Sequence, residues 1–339
     1  MTARELNRAL LARQLLLERS TLSLPLALEQ VGGLQTQYAP AGYVGLWTRV
    51  RDFDRDGLTA ALESRAVVQA TLMRVTIHLV SARDYWPIAL AVREARRTNY
   101  LKVLKIDVRE VERAAARVRE LLADGPQRRD ELQKSAGVDN RVWYGVGLWL
   151  DLMRVPPSGT WERRKADLFT TAEQWLGPPR GDAESGLELL VRRYLGGFGP
   201  ASVKEIATWA GVHPRAILPA LASMPVVRYR DESGRELVDL PDMPIPDPNT
   251  PAPVRFLPVW DATLLVHARE AQVLAEEHRP LVFNTKTPHS VGTFLVDGRV
   301  AGTWKEVKGR VVHSPFEPLP KAARKKVEDE ADRLSAFHA

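Results

Sequence analysis

Apolar and polar positions alternate along this chain in a pattern that repeats three times: helices, then a short two-stranded hairpin. In the first repeat, Glu5–Glu18 is predicted helical, with Leu6, Leu10, Arg13 and Leu17 at helical spacing. Pro25 opens a second helix running toward Gly32-Gly33, and Asp56 caps a third over Gly57–Ser64. Val67–Thr71 and Val75–Val80 follow as paired strands. The second repeat has a strongly periodic helix at Val108–Leu122, ended by Asp124-Gly125-Pro126. A short helix at Arg128–Ser135, an apolar helix at Arg141–Met153 and a hairpin through Pro156-Pro157-Ser158-Gly159 complete it.

The third repeat contains the segment SVKEIATWAGVHPRAILPAL, which has the layout of a helix-turn-helix. Val203–Ala210 is its first helix, Gly211-Val212 its turn and Pro214–Ala222 its second helix, with strands at Val226–Arg230 and Glu236–Leu240. A second helix of this kind can lie in the DNA major groove. Pro219 inside it predicts a kink or a shortened helix, so a scaffold role for this copy stays open beside a reading role.

Seven prolines between Pro241 and Pro258 predict an extended linker. Beyond it, Arg255–Leu265, Pro280–Asn284, Gly292–Val296, Arg299–Lys305 and Val311–His313 are predicted as strands, with a hairpin turn at Asp297-Gly298 and a final helix at Lys321–Phe337. The expected fold is therefore α+β: three tandem winged-helix (helix-turn-helix) units at 1–81, 82–180 and 181–241, a linker at 242–258, and a small C-terminal β-domain at 259–339.

Composition narrows the function classes. Lysine and arginine outnumber acids by 48 to 42, a formal charge of +6, which favours a polyanionic partner. The absence of cysteine excludes disulfides, thiolate metal ligands and a cysteine nucleophile. No run of about 18 apolar residues indicates a membrane span, and the charged, amphipathic start is unlike a secretory signal. A cytoplasmic, nucleoid-associated, monomeric protein is the expectation. Phosphate-loop, dinucleotide and HExxH signatures are missing, and the seven histidines form no ligand pair by spacing. Neither metal nor cofactor is expected.

The most unusual short segment is GGLQTQYAP. Gln35 and Gln37, two residues apart, project to one side if the backbone is extended. Each amide offers one acceptor oxygen and two donor hydrogens, enough to hold a water. On pattern alone, helix capping plus a solvated loop is the simpler explanation of the same residues. In MRVTIHLV, Arg74, Thr76 and His78 alternate with apolar residues and share a strand face, open to phosphate or lesion contact or to a purely structural hairpin. The basic run Arg93, Arg96, Arg97, Lys102 and Lys105 fits a solvated helix face or DNA-backbone contact. Lys286 and His289, in NTKTPHS, are candidates for a loop that reaches a groove. Trp47, Trp143, Trp149, Trp175 and Trp209 are expected in the core.

The phrases GGLQTQYAP, YVGLWTRV and TLMRVTIHLVSARDY, followed by VWDATLLVHARE and FLVDGRVAGTWK, resemble the AlkZ-like winged-helix DNA glycosylases in order and over nearly the whole chain. The resemblance implies three winged-helix units and a small β-barrel around a DNA-sized concavity. It implies hydrolysis of the N-glycosidic bond of N7- or N3-alkylated purines in double-stranded DNA, including unhooking of interstrand crosslinks or removal of bulky genotoxin adducts. The family's catalytic motif is glutamine, an aliphatic residue, then glutamine or aspartate; Gln35 and Gln37 match its functional positions. A second glutamine places the chain with the AlkZ-type rather than the YcaQ-type branch. Thr36 departs from the aliphatic position, a change expected in packing rather than chemistry. Two rival readings are a non-catalytic winged-helix transcriptional regulator and a protein-interaction scaffold; Arg215 is the only base-reading side chain the helix Pro214–Ala222 offers a regulator.

Overall fold

The computed structural model describes residues 1–284 and 289–339. Twelve strands lie among the described residues, in three sheets. The largest contains β1 (Leu34–Gln35), β2 (Val67–Thr71), β3 (Ile77–Ser81), β4 (Gln127–Arg128), β5 (Leu152–Arg154) and β6 (Leu168–Thr171), in the order β1-β3-β2-β5-β6-β4. The hairpins of the first two repeats are thus joined edge to edge: β2 pairs with β5, Gln69 facing Arg154 and Ala70 facing Met153. This pairing covers an edge that a lone wing would leave open. The third hairpin, β7 (Val227–Arg230) with β8 (Glu236–Asp239), stands apart.

The predicted helices of the third repeat form as expected, including Pro214–Ala222, which runs through Pro219 without breaking. Pro219 is exposed, so solvent can satisfy the carbonyl whose partner the ring removes. Elsewhere the pattern misleads. Asp54, rather than Asp56, caps the helix Arg55–Glu63 by accepting from Gly57 N. The helix Ala39–Trp47 falls in the segment left unassigned between Gly33 and Asp56. The predicted helix Arg141–Met153 is a helix at Asn140–Trp149 followed by β5, because Asp151 adopts a left-handed turn between them.

The C-terminal sheet comprises β9 (Arg255–Leu257), β10 (Gly292–Val296), β11 (Arg299–Val307) and β12 (Arg310–Pro315), in the order β12-β11-β10-β9. It is open, with β9 and β12 as its edges among the described residues, where closure into a barrel was expected. The terminal helix Lys321–His338 packs Val327, Ala331 and Leu334 against it. Its first strand begins inside the expected linker. The predicted strand Pro280–Asn284 is a short helix, Arg279–Val282, with Pro280 in its first turn.

The first helix, Ala3–Arg13, ties the ends of the chain together. Thr2 and Glu5 close a capping box at its start. Arg13 makes a bidentate contact with Asp239 of β8 at 2.8 and 2.7 Å, both side chains being buried. Arg8 reaches Asp297 in the β10–β11 turn. The proline-rich linker lies along this helix, its carbonyls at Pro244, Pro248 and Thr250 accepting from Arg13, Arg4 and Arg8. Extended, proline-rich backbone leaves its carbonyls free for such contacts. Trp143 and Trp209 are buried as expected, and Trp47, Trp149 and Trp175 partly so. No described helix is long and apolar enough to cross a membrane.

Candidate active site

The glutamine pair follows two consecutive left-handed glycines, Gly32 (φ 76°) and Gly33 (φ 80°), which turn the chain from the helix Leu24–Val31 into β1. A Cβ on Gly33 would sit 2.9 Å from Val80 Cγ1 and 3.2 Å from Leu79 O. Glycine is therefore required by both conformation and space. β1 then pairs antiparallel with β3, Leu34 opposite Leu79 and Gln35 opposite His78. Thr36 N donates to Ile77 O at 2.8 Å, extending the register by one bond.

The two glutamines are anchored differently. Gln35 is 8% exposed, and its Oε1 accepts from Arg74 Nη2 at 3.0 Å. Gln37 is exposed, and its Oε1 accepts from Ile77 N at 2.9 Å. Both partners are pure donors, so each amide turns its oxygen toward the tip of the β2–β3 hairpin and its NH2 away. Gln37 lines a cavity of about 490 Å³ on one face of the six-stranded sheet; Gln35 does not. Only Gln37 of the pair reaches that cavity: β1 ends at Gln35, so the regular alternation expected to set both side chains on one side does not continue to Gln37. Thr36 is buried, packs beside Gly42 of the helix Ala39–Trp47, and donates its hydroxyl to Tyr38 O at 3.3 Å. Threonine fills the aliphatic position while satisfying its own polar atom.

The hairpin tip holding both amides is itself strained. Arg74 (φ 55°) and Val75 (φ 58°) are consecutive left-handed residues, an outlying conformation for a β-branched side chain. The predicted strand Val75–Val80 accordingly begins only at Ile77, after a tight turn at Met73–Val75. Arg74 is held from the third repeat: it donates to Trp209 O as well as to Gln35, and the turn residue Gly211 packs where a Cβ would lie 2.9 Å from Arg74 N. Burial pushes the Arg74 guanidinium down to about 10. It remains charged at neutral pH.

The other expected DNA contacts divide. His78 is buried, and its Nδ1–H donates to Thr76 O at 3.0 Å. Burial, with the nearby Arg74 charge, lowers it to about 3, so it is neutral and has no edge for DNA. Thr76 closes the turn by donating to Met73 O. Arg96 is buried, paired with Asp151 at 3.2 Å and bonded to Thr71 O; it joins repeats rather than facing solvent. Arg97 is half-buried, donating to Leu148 O and Trp149 O while its guanidinium stacks on Trp149. Helical periodicity alone put Arg96 and Arg97 on a solvated face; packing of the helix Asn140–Trp149 and the Asp151 turn against their helix, Ala82–Leu104, reverses that. His289 is exposed, and its carbonyl accepts from Asn284 N. Lys286 lies outside the described residues.

Sequence reasoning missed several groups around Gln37. Tyr38 is 48% exposed and accepts from Arg164 Nη1 at 3.0 Å. Arg154, Arg129 and Tyr144 line the same cavity. Leu152-Met153-Arg154 carries no alternation that would mark a strand, and the apolar helix before it hides the boundary. No group of acidic and histidine side chains able to hold a metal occurs among the described residues.

Comparison with known proteins agrees with this fold. The family described as "DNA glycosylase AlkZ-like" matches residues 28–337. A curated relative from Streptomyces sahachiroi, named "Interstrand DNA cross-link repair glycosylase", is 22% identical over 95% of this chain and 93% of its own. A solved structure, "Streptomyces sahachiroi DNA glycosylase AlkZ", superimposes with a TM-score of 0.82 at 21% identity, covering 100% of this chain and 97% of that one.

Proposed function

Because the chain belongs to the AlkZ-like DNA glycosylase family, and so is a DNA glycosylase, we propose that it hydrolyses N7- and N3-alkylated purines in duplex DNA with Gln37 as its water-positioning residue. The observation that carries this reading is the anchoring of Gln37. Ile77 N occupies one lone pair of its oxygen, leaving the second lone pair and the NH2 at the edge of the cavity. One amide can then accept from and donate to the same water.

Alkylation at N7 leaves the purine cationic and already a good leaving group. No strong acid is needed, which suits a site whose nearest histidine is neutral and buried. As the glycosidic bond breaks, the sugar becomes oxocarbenium-like. Catalysis reduces to placing a water and stabilising that charge with fixed dipoles. Gln37 orients the attacking water. Gln35, its oxygen fixed by Arg74, holds the sugar or the water. A carboxylate would be the stronger base, so two neutral amides restrict the enzyme to activated lesions.

The curated relative's name directs attention to interstrand crosslinks, and we extend that substrate to this chain. A crosslinked base resists extrusion from the helix, so attack occurs with the lesion in the duplex rather than in a flipping pocket. The three helix–hairpin repeats act as tandem winged-helix units and, with the C-terminal sheet, form the DNA-docking surface of a monomer working on the chromosome in the cytoplasm. The test is incubation with duplex DNA carrying one N7-methylguanine, followed by strand cleavage at abasic sites. Base release is expected. Tight, sequence-specific binding by a dimer without release would favour the regulator instead.

A further inference from the structure

Three guanidinium groups with no carboxylate partner among the described residues line the same cavity as Gln37: Arg164, which is exposed, and the half-buried Arg154 and Arg129. Arg154 projects from β5, opposite Gln69 of β2 and Phe169 of β6, onto the cavity face of the sheet. It is half-buried, donates to Thr71 Oγ1 at 3.2 Å and lies over the Phe169 ring. Arg129 opens the helix Arg129–Ala136 and donates to Gln133 Oε1 at 2.9 Å and Asn140 Oδ1 at 2.6 Å, both neutral acceptors. Its guanidinium lies 5.6 Å from the centroid of Tyr144, an exposed aromatic that lines the cavity.

The cavity also has acids, Asp130 and Asp167, but Lys165 bridges them at 3.7 and 2.9 Å and Arg128 supports Asp167 at 3.5 Å. Arg164 bonds the Tyr38 hydroxyl. The Arg154 and Arg129 guanidiniums repel, and burial with Arg129 beside it draws Arg154 down to about 10. Leaving them without an anion is unfavourable. A guanidinium fork matches a phosphate, and the sequence spacing that puts Thr71 and Ile77 opposite one another places Gln37 beside the same cavity face.

We propose that Arg154 and Arg129 form a phosphate subsite that grips a DNA phosphodiester on the strand whose alkylated nucleotide is presented to Gln37. The subsite rests on the reading of Gln37 given above for its position relative to the lesion. The phosphate grip itself depends only on the two arginines.

The experiment measures binding rather than turnover, by anisotropy of a short duplex carrying one N7-methylguanine, across a series of salt concentrations. R154Q and R129Q are each expected to weaken binding roughly tenfold and to reduce the salt-dependence slope by about one, with R154K retaining the slope. Single methylphosphonates, which remove one phosphate charge at a time, identify the contact. One position near the lesion should weaken the unaltered protein but leave R154Q insensitive. R129Q, on the helical side, carries the same comparison should R154Q fail to fold. An unchanged slope in R129Q and R154Q, or equal sensitivity of variant and unaltered protein at every methylphosphonate, overturns the subsite. If the unaltered protein releases no base while the slopes fall as stated, the placement of Gln37 fails and the phosphate grip stands.

Discussion

Arg74 donates to Gln35 Oε1 at 3.0 Å and, through the same guanidinium, to Trp209 O, so the first glutamine of the motif is held from the helix-turn-helix of a distant repeat. The sequence pattern left Arg74 open to phosphate contact or to a structural hairpin. The geometry makes it a positioning residue for an amide that would otherwise rotate.

Arg74→Met is therefore expected to lower the single-turnover rate of base release about 10- to 100-fold, the cost of a misplaced reacting group. The salt-dependence slope of DNA binding should stay within experimental error of the unaltered protein. A slope reduced by about one with an unchanged rate would return Arg74 to the phosphate backbone.

The two glycines before the motif provide a second test. Gly33→Ala demands a left-handed alanine and brings its Cβ against Val80 and the Leu79 carbonyl. A loss of about 1–3 kcal/mol is expected from strain of this kind. Urea unfolding reads the stability, and base release should fall further than stability alone explains, because β1 shifts. A variant as stable and active as the unaltered protein would mean that β1 tolerates rearrangement.

His78 sets a pH dependence of stability. Its folded value is lowered to about 3 from an ordinary 6.5, chiefly by burial and next by Arg74. The unfolded chain therefore takes up the proton first as pH falls, and stability is complete above about 6.5 and declines through the window down to about 3. His267, also buried and lowered well below its ordinary value, acts in the same direction. Urea midpoints at pH 7 and pH 5 should show the decline, and His78→Asn should make it shallower. An unchanged slope in that variant contradicts the burial of a neutral imidazole. The same neutrality keeps His78 out of the pH–rate profile near neutrality.

The ion pair between Arg13 and Asp239 should be costly to break from one side. Asp239→Ala leaves a buried guanidinium with no carboxylate, and a loss of about 3–5 kcal/mol is expected. Arg13→Met with Asp239→Leu should recover much of it. If the single variant costs less than about 1 kcal/mol, water reaches the pair.

What was legible in the sequence follows from how locally each feature is determined. The helix-turn-helix at 203–222 was, because a capping serine, a glycine turn and an apolar periodicity all lie within one short segment. The family was, because the segments around Gln35 and Gln37 resemble it in order along the chain. The fate of Arg96 and His78 was not. Alternation gives a face but not what covers it: Arg96 is covered by the Asp151 turn far along the chain, and His78 is closed in by the strained hairpin tip that Arg74 holds. Arg154 was hidden for the same reason: only the long-range pairing of β2 with β5 brings it to the cavity that holds Gln37.

The most direct test of the central claim is single-turnover release of N7-methylguanine from duplex DNA by the unaltered protein and by the double variant Q35A/Q37A, with affinity measured in parallel. The account requires release by the former, loss of release by the latter and DNA affinity preserved within a few-fold. Full release by the double variant, with its fold intact, would contradict it.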